Sequence, residues 1–491
     1  MSCPFNPEAA AQPQQETDST SCPFSHEAAA QPQQETAPKT SVEVTEGEPI
    51  PHPPERWFIG NLGELDPDFA VSSIWKLADV YGPIYSLNLV TRRSIIVSNW
   101  ELINEVCDDK RFEKAVTGVQ DSLRVFIKNG LFTSYNDEDE WGIAHRALVP
   151  AFGPLHVRKM FSQMMDIMSQ MVLRWDRFGP NRRISCHDDF TRLAFDVIGL
   201  CAFNYRFNAF YAEELIPFAN QLSQVLIETG RRTNRTEIQN ALAFLSKKEM
   251  MDNINSMWKV CDDIVADRRA NPRPDVDDIL NVMLSAKDPV TGKGFTDENI
   301  RYQLATFLVA GHDTSAGTMI FLFYHLLKNP ETLQKCYAEV DAVLGDRPLT
   351  MDDVPKLKYI EAAMKEALRF LGPISLITRR AKETTMIGGK YKVEPTDSIS
   401  LNLKGLHHDP AVWGEDCDEF RPDRFLNGGW ERLPPNAWKP FGTGARACIG
   451  RYLAEQEIII CMAMVLQRFV VEMADPDYEL SKCAHKSTMI V

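Results

Sequence analysis

The stretch Phe441-Gly-Thr-Gly-Ala-Arg-Ala-Cys-Ile-Gly450 is the most informative part of this 491-residue sequence. Its glycines let the backbone turn sharply and lie close to a flat ligand. The stretch presents Cys448 just before a predicted helix that runs from Arg451 towards Phe469. Because a helix N-terminus carries unpaired N–H groups and partial positive charge, this position favours a thiolate over a thiol. A buried, inert cysteine is the alternative for an isolated residue, but five spaced positions within ten residues favour a functional one.

The five positions Phe441, Gly444, Arg446, Cys448 and Gly450 form the pattern F-x-x-G-x-R-x-C-x-G. This pattern resembles the haem-ligand motif of the cytochrome P450 family. The resemblance implies that Cys448 is the axial thiolate ligand of the iron of haem b. It also implies that Arg446 contacts a haem propionate and that Phe441 packs near the thiolate and tunes the iron potential. A thiolate ligand pushes electron density onto iron and favours O–O cleavage.

The composition is that of a globular protein with a substantial core, since 44% of residues are hydrophobic. A net charge of −15 argues against nucleic acid or an anionic membrane surface as a partner. Eleven cysteines without CxxC pairs are typical of a reducing compartment. The sequence predicts neither a transmembrane anchor nor a secretory signal. We therefore expect a soluble, cytoplasmic protein.

The first fifty residues differ from the rest of the chain. They are polar, and the segment Ser2–Thr17 returns as Ser21–Thr36. Such a composition buries too little apolar surface to order itself, which predicts a disordered acidic tail with a duplicated segment over residues 1–50. A regulatory contact of its Cys-Pro pairs with haem is a less favoured alternative. The family resemblance implies a haem domain over residues 51–491, mainly α-helical with small β-sheets.

Hydrophobic periodicity and turn residues give the secondary structure in outline. In the segment Thr191–Asn208 the pattern predicts a packed core helix followed by a turn. The pattern predicts helices over residues 72–81, 99–108, 120–128, 156–175, 209–230, 237–268 and 356–370, and strands over residues 85–89, 94–98, 384–387, 391–393 and 398–401.

A long helix is predicted from the N-cap Thr296 to Leu327, and about thirty residues at 1.5 Å each make it about 45 Å long. Its middle holds the polar patch Ala310-Gly-His-Asp-Thr-Ser315. A locally hydrated helix is one interpretation. Beside the cysteine stretch, however, the patch resembles the A-G-x-D/E-T-T/S motif of the family. The resemblance implies that Thr314 and Asp313 take part in oxygen activation, where a hydroxyl backed by a carboxylate suits proton delivery. It also places Ala310 on the substrate side.

Two aromatic rings are spaced for a shared task. Trp141 and His145 lie four residues apart, so they share one helix face and can both meet a haem propionate. Most P450 enzymes have arginine where this chain has His145. Together with Arg111–Lys114 and Gly130–Ser134, these residues resemble soluble fatty-acid hydroxylases whose haem domain is fused to a flavin reductase. The likeness implies haem contacts from Trp141, His145 and Lys114.

Glu366 and Arg369 lie three residues apart and are therefore neighbours on one helix face. Alone they would be an ordinary surface pair that contributes little. With Arg424, in the stretch Phe420–Phe425, they match the E-x-x-R and meander pattern of the family. The resemblance implies a triad behind the haem that serves architecture and not chemistry.

The substrate side is inferred from the same hydroxylases. Phe132 matches a phenylalanine above the haem, with Ile127 and Leu123 on the same apolar wall, although core packing is the alternative for all three. Arg92 aligns with an arginine that binds the fatty-acid carboxylate. Ile96 replaces that arginine's tyrosine partner, and a lone arginine anchors a carboxylate less well. A modified or polyketide-derived chain is therefore a second substrate class.

These observations predict a haem-thiolate monooxygenase that catalyses R–H + O2 + 2 e⁻ + 2 H⁺ → R–OH + H2O on a lipophilic substrate. In the fused hydroxylases, flavin domains follow the haem domain, whereas this sequence shows none after the helix that follows Cys448. The resemblance therefore predicts a separate NADPH-dependent reductase as the electron donor. The last residues, Ser481–Val491, fit the β tail expected of the family poorly. A hydroperoxide isomerase or peroxide-driven enzyme is less favoured, because such variants commonly lose the pair Asp313 and Thr314. A non-enzymatic haem sensor is the least favoured alternative.

Overall fold

The computed structural model describes residues 47–66, 69–90, 92–180, 182–235 and 237–480. Within these ranges the chain is mainly helical with two small sheets, which confirms the predicted fold class. The predictions for the duplicated tail and for Ser481–Val491 concern residues outside the described ranges. Two residues on the tail side of the predicted boundary already contact the folded part. The Glu48 N–H donates to the Lys390 carbonyl, and Ile50 is buried.

The described part of the chain contains eighteen α-helices and six single-turn 3-10 helices. The α-helices are α1 (Ala70–Tyr81), α2 (Trp100–Val106), α3 (Val119–Ile127), α4 (Asp139–Leu148), α5 (Pro154–Lys159), α6 (Phe161–Phe178), α7 (Cys186–Phe203), α8 (Pro217–Asn234), α9 (Glu237–Leu242), α10 (Phe244–Ala270), α11 (Ile279–Ser285), α12 (Asp297–Lys328), α13 (Pro330–Val343), α14 (Lys358–Phe370), α15 (Leu403–His407), α16 (Pro410–Trp413), α17 (Gly429–Arg432) and α18 (Arg451–Arg468). The 3-10 helices are Leu62–Glu64, Pro150–Phe152, Ala209–Tyr211, Val354–Lys356, Pro422–Phe425 and Gly444–Arg446.

Seven strands form the two sheets. They are β1 (Ile84–Asn88), β2 (Arg93–Val97), β3 (Phe112–Lys114), β4 (Leu376–Ala381), β5 (Thr385–Ile387), β6 (Tyr391–Val393) and β7 (Ser398–Asn402). The larger sheet has the order β1-β2-β7-β4-β3, in which β2 and β7 are parallel and the other pairs antiparallel. The pair β5–β6 forms the second sheet.

The sequence did not predict β3 and β4. β3 has only three residues, and both strands carry charged residues in place of a regular apolar alternation, so the local signal is weak. Pairing with neighbouring strands supplies the missing stabilisation, and its register sets Lys114 of β3 opposite Arg379 of β4. The positively charged residues Lys114 and Arg379 therefore lie opposite each other on neighbouring strands.

Helix α12 runs through the main hydrophobic core. The Thr296 side chain caps its start by accepting a hydrogen bond from the Asn299 N–H at 3.1 Å, which confirms the predicted N-cap. The helix packs closely on α7, the core helix expected from the sequence. A Cβ atom at Gly311 would lie only 2.9 Å from the Ile198 side chain. Glycine at this position therefore lets the two helices approach.

Three predicted helices are divided in the structure. The segment 156–175 is split between α5 and α6, which meet at Met160. The segment 209–230 begins with a single 3-10 turn, and α8 starts only at Pro217, because proline suits the first turn of a helix and disrupts its interior. The segment 237–268 is divided at Ala243, whose ψ of 43° leaves the helical range.

Helix α14 carries Glu366 and Arg369, and a carboxylate from the preceding helix holds its start. The Glu339 Oε1 atom accepts the Tyr359 N–H at 2.6 Å, and Oε2 accepts the Ile360 N–H at 2.9 Å. These amides belong to the first turn, where N–H groups have no partner within the helix. A negative charge is also favoured there by the helix dipole.

Replacing Glu339 by glutamine should lower the free energy of unfolding by about 1–2 kcal/mol, because an amide has only one acceptor oxygen for two N–H groups. Urea denaturation followed by far-ultraviolet circular dichroism measures this change. Asp341→Asn is the matched control, since Asp341 is exposed on the same helix and its replacement should change stability by less than about 0.5 kcal/mol. Equal stabilities of the two variants would contradict the capping role.

Candidate active site

The ligand loop, residues 441–450, presents Cys448 as the sequence predicts. Gly442 and Gly444 have positive φ angles of 77° and 62°, which only glycine adopts readily. The Cys448 N–H donates to the Phe441 carbonyl at 2.8 Å and closes the loop. The Cys448 side chain is exposed, and α18 begins three residues later.

The surroundings of Cys448 oppose the thiolate expected from a helix start. Although the residue keeps accessible surface, protein atoms crowd its thiol and this desolvation raises the thiol pKa, an effect that exceeds the lowering by the Gly450 N–H and by the charge of Arg451. A helix start therefore does not suffice to make a thiolate here, because the surrounding protein penalises a bare negative charge. A bound metal cation would supply the missing stabilisation.

The polar patch of α12 reaches an accessible surface. Ala310 is exposed, although residues 302–309 before it are buried. The Thr314 hydroxyl donates to the Ala310 carbonyl at 2.6 Å. Burial raises the pKa of Asp313, while His312 and His187 lower it. The patch thus combines a hydroxyl with a carboxyl that holds its proton more tightly than usual.

The three predicted propionate contacts, Arg446, Trp141 and His145, lie together with Lys114, which was predicted to contact the haem. The Arg446 guanidinium stands 4.1 Å above the Trp141 ring, and that ring stacks on His145 at 4.7 Å. The Lys114 Nζ atom donates to the Phe132 carbonyl at 2.5 Å and lies 4.6 Å from the Phe132 ring. β3, α4 and the ligand loop each contribute to this cluster.

The positive charge of this cluster is compensated only in part, because Glu113 and Glu138 stabilise the charge of Arg446 without forming an ion pair with it. Burial lowers the pKa of Lys114 to about 7, and the neighbouring charge of Arg446 lowers it as well. Burial also lowers the pKa of Arg446 to about 10, and burial and Arg446 lower the pKa of His145. No carboxylate of the described residues forms an ion pair with Lys114 or Arg446. An anionic ligand would stabilise the charged forms of Lys114 and Arg446.

The predicted triad is assembled behind the ligand loop. Arg369 donates from Nε and Nη2 to the two oxygens of Glu366 at 2.6 and 2.9 Å, and Arg424 Nε donates to Oε1 at 3.0 Å. Glu366 is 0% and Arg369 1% exposed, so this is no surface pair. The remaining arginine N–H groups donate to the carbonyls of His407, Trp413, Cys417 and Glu419.

The substrate-side residues occupy different environments. Leu123 and Ile127 are 0% exposed and belong to the main core, which favours the packing alternative for these two. Phe132 is partly exposed beside Lys114. Ala310 and Phe132 are therefore the predicted substrate residues with surface available to a ligand.

Arg92 borders a cleft of about 590 Å3 that also includes His52, Glu55 and Asp397. Asp397 pairs with the neighbouring Arg93 at 3.7 Å. Burial lowers the pKa of Arg92, which Asp121 partly opposes. The Arg92 side chain makes no hydrogen bond or ion pair with any described residue. It remains available for a carboxylate.

The model of one protein family, described as cytochrome P450, matches residues 50–490. The chain belongs to the cytochrome P450 family. Members of this family hold haem through an axial cysteine thiolate. The match covers both the ligand loop and α12.

Curated relatives include a self-sufficient cytochrome P450 monooxygenase of Phanerodontia chrysosporium, 44% identical over 88% of this chain and 41% of the relative. A bifunctional cytochrome P450/NADPH–P450 reductase of Fusarium oxysporum is 45% identical over 89% of this chain and 41% of that protein. A third, from Acremonium egyptiacum and also described as bifunctional, is 43% identical over 88% of this chain. The chain spans about two fifths of the length of these relatives. In the residues that the structure covers, no helix combines the length and hydropathy needed to cross a bilayer.

The residues of the site suit haem. Cys448 offers an accessible sulfur that needs a metal cation to lose its proton. Lys114 and Arg446 offer positive charge for the two propionates. Trp141 and His145 stack beneath Arg446 and fix its guanidinium. These residues would hold the cofactor by its iron and its propionates.

Glu457 on α18 is a buried acid that the sequence analysis missed. It is 2% exposed, and burial raises its pKa to about 8, although the Ser315 side chain lowers it. Its Oε1 atom is buried and has no hydrogen-bond partner among the described residues. The sequence signal was weak, a glutamate directly before Ile458-Ile-Ile460, because glutamate is seldom fully buried.

Haem retention should depend on pH through Lys114. Its pKa of about 7 in the protein alone means that the charged form is present below pH 7 and is lost above it. Binding a propionate then requires proton uptake, and affinity falls up to about tenfold per pH unit above 7. Haem transfer from the holoprotein to excess apomyoglobin should therefore become at least about fivefold faster between pH 7 and pH 9.

Lys114→Gln should flatten this pH dependence, because glutamine takes up no proton. Lys110→Gln is the matched control, since Lys110 is exposed in the turn before β3 and its loss should leave the profile unchanged. Parallel profiles for Lys114→Gln and the native protein would contradict the assignment.

Proposed function

We propose that this chain hydroxylates a lipophilic chain substrate with dioxygen and electrons from an NADPH-dependent reductase. The observation that carries the proposal is the pairing of two elements. The ligand loop presents an accessible cysteine, and α18, which follows it, packs on α12, the helix that carries the patch Ala310–Ser315. Haem bound to Cys448 would supply dioxygen binding and activation. The reaction is R–H + O2 + 2 e⁻ + 2 H⁺ → R–OH + H2O.

The protein residues have separable tasks in this proposal. Lys114 and Arg446 hold the propionates and orient the cofactor. The Thr314 hydroxyl holds a proton near the substrate side of α12, where its bond to the Ala310 carbonyl fixes its direction. Asp313 keeps its carboxyl proton to a higher pH than usual and can resupply Thr314. Glu366, Arg369 and Arg424 hold the chain that leads to the ligand loop.

The substrate is a fatty acid or a polyketide-derived chain. Support comes from the exposed surfaces of Ala310 and Phe132, which are apolar. Arg92 supports a terminal carboxylate, because its half-buried charge has no partner among the described residues. Ile96, which stands where the hydroxylases have a tyrosine, is 1% exposed and offers no hydrogen bond to a carboxylate. A substrate with another polar end group would need Arg92 less.

The proposed electron donor is a separate NADPH–cytochrome P450 reductase. Support comes from the relatives, one named self-sufficient and one named a bifunctional cytochrome P450/NADPH–P450 reductase. A reductase of this kind, added as a second protein, should therefore support turnover.

The first experiment is a carbon monoxide difference spectrum of the dithionite-reduced protein beside Cys448→Ala. The native protein should give a Soret band near the wavelength that names the family, and the variant should lose it, because only a thiolate ligand produces that band. Fatty acids and their methyl esters are then tested with added reductase and NADPH. Product formed from hydroperoxides alone would favour the peroxide-driven alternative, and a band typical of histidine-ligated haem would contradict the proposal.

Thr314→Ala should uncouple NADPH oxidation from hydroxylation of the substrate. Losing the hydroxyl removes the proton donor, so product formed per NADPH should fall at least about tenfold while hydrogen peroxide release rises. Thr314→Ser is the matched control, because it retains the hydroxyl and should keep most of the coupling. Equal coupling in both variants would show that the hydroxyl has no part in proton delivery.

A further inference from the structure

A turn that lies 336 residues earlier in the chain contacts the ligand loop. This clamp turn, residues 107–112, links α2 to β3. The Asp109 Oδ2 atom accepts the Ala445 N–H at 3.2 Å. The Thr443 side chain lowers the pKa of the Cys107 thiol, against the raising effect of burial. The turn therefore contacts the residues that lead into Cys448.

Gly444 shows how closely the two segments approach. Its φ of 62° is strained for any other residue, and an added Cβ atom would overlap the Asp109 carboxylate. The glycine of the haem-ligand pattern thus serves a second purpose in this chain. It makes room for the carboxylate of Asp109 against the backbone of the ligand loop.

A buried arginine fixes the Asp109 carboxylate in turn. Arg379 of β4 is 3% exposed and donates from Nη2 to Asp109 Oδ1 at 2.5 Å. It also donates to the carbonyls of Cys107 at 3.3 Å and Phe112 at 2.8 Å. The guanidinium therefore ties both ends of the clamp turn to the carboxylate. Lys382 completes the turn by donating to the Asp109 carbonyl at 2.6 Å.

The other side of the loop is held by different groups. Arg446 donates to the Ser134 carbonyl at 3.2 Å and to Asn136 Oδ1 at 3.1 Å. Residues 443–446 thus lie between the clamp turn and residues 134–136. Cys448 follows two residues later, so its position depends on both contacts.

We propose that Asp109 is a positioning residue that fixes the ligand loop and thereby protects the bond between Cys448 and the haem iron. The consequence for the iron bond rests on the proposed function, whereas the grip on residues 443–446 does not. The Asp109 side chain is 50% exposed, so water can reach its place beside Arg379. Arg379 also keeps its hydrogen bonds to the Cys107 and Phe112 carbonyls when the carboxylate is replaced by an amide. Its loss should therefore act on the loop and not on the whole fold.

The test compares Asp109→Asn with Asp108→Asn in the full chain. Both variants remove one negative charge from the same turn, but the Asp108 side chain accepts only the Lys110 N–H within its own turn. Hydrogen–deuterium exchange by mass spectrometry reports on peptides covering residues 441–450. Asp109→Asn should exchange faster there, because an amide nitrogen at the Oδ2 position cannot accept the Ala445 N–H. Asp108→Asn should exchange like the native protein.

The ferrous carbon monoxide complex supplies a spectroscopic measurement. Its thiolate band should decay to the inactive, shorter-wavelength form roughly tenfold faster in Asp109→Asn than in Asp108→Asn. The melting temperatures of the two variants should differ by less than about 3 °C. Faster decay without a lower melting temperature separates positioning of the ligand from general destabilisation.

Two outcomes would overturn the proposal that Asp109 positions the ligand loop. One is equal exchange of residues 441–450 in the two variants. The other is faster exchange throughout the chain in Asp109→Asn, which would make Asp109 a general structural residue. If the native protein gave no thiolate band, the proposed function would fail, and exchange alone would still decide whether Asp109 holds the loop.

Discussion

The buried Glu366 carboxylate is the charge on which the haem-side architecture depends. A carboxylate with no exposed surface needs compensation, and Arg369 and Arg424 supply it with three hydrogen bonds. Removing one partner of such a pair costs roughly 3–5 kcal/mol, because it leaves a buried charge uncompensated. The arginines also hold carbonyls between His407 and Glu419. One carboxylate thereby links α14 to the chain that leads into the ligand loop.

A second constraint comes from positive charge, in contrast to the negative charge of Glu366. Lys114 and Arg446 bring positive charge together, and no carboxylate of the described residues forms an ion pair with either, although Glu113 and Glu138 act on Arg446 from a greater distance. Strand pairing, the ligand loop and the stacked rings of Trp141 and His145 hold this arrangement in place. A protein keeps such a cluster only at a cost, which an anionic group can repay on binding. The triad therefore shapes the protein itself, whereas the cation cluster is completed by a ligand.

Whether a prediction from sequence succeeded depended on how far apart in the chain the interacting residues lie. The N-cap at Thr296 and the start of α18 after Cys448 were predicted, because capping and glycine turns act within a few residues. Strands β3 and β4 were missed, because partners more than two hundred residues apart stabilise them. The substrate roles of Leu123 and Ile127 lost support, since an apolar pattern does not distinguish a pocket wall from a packed core.

The sequence by itself determined the family, the cysteine that would hold the iron, and the helix that carries Thr314, because each depends on residue types at short, fixed spacings. Only the tertiary structure decided the electrostatic environment of those residues. It raised the pKa of Cys448 and lowered that of Lys114. It also brought Asp109 against the ligand loop. The physical reason is that desolvation and charge depend on every atom within a few ångströms, and folding brings those atoms from distant parts of the chain.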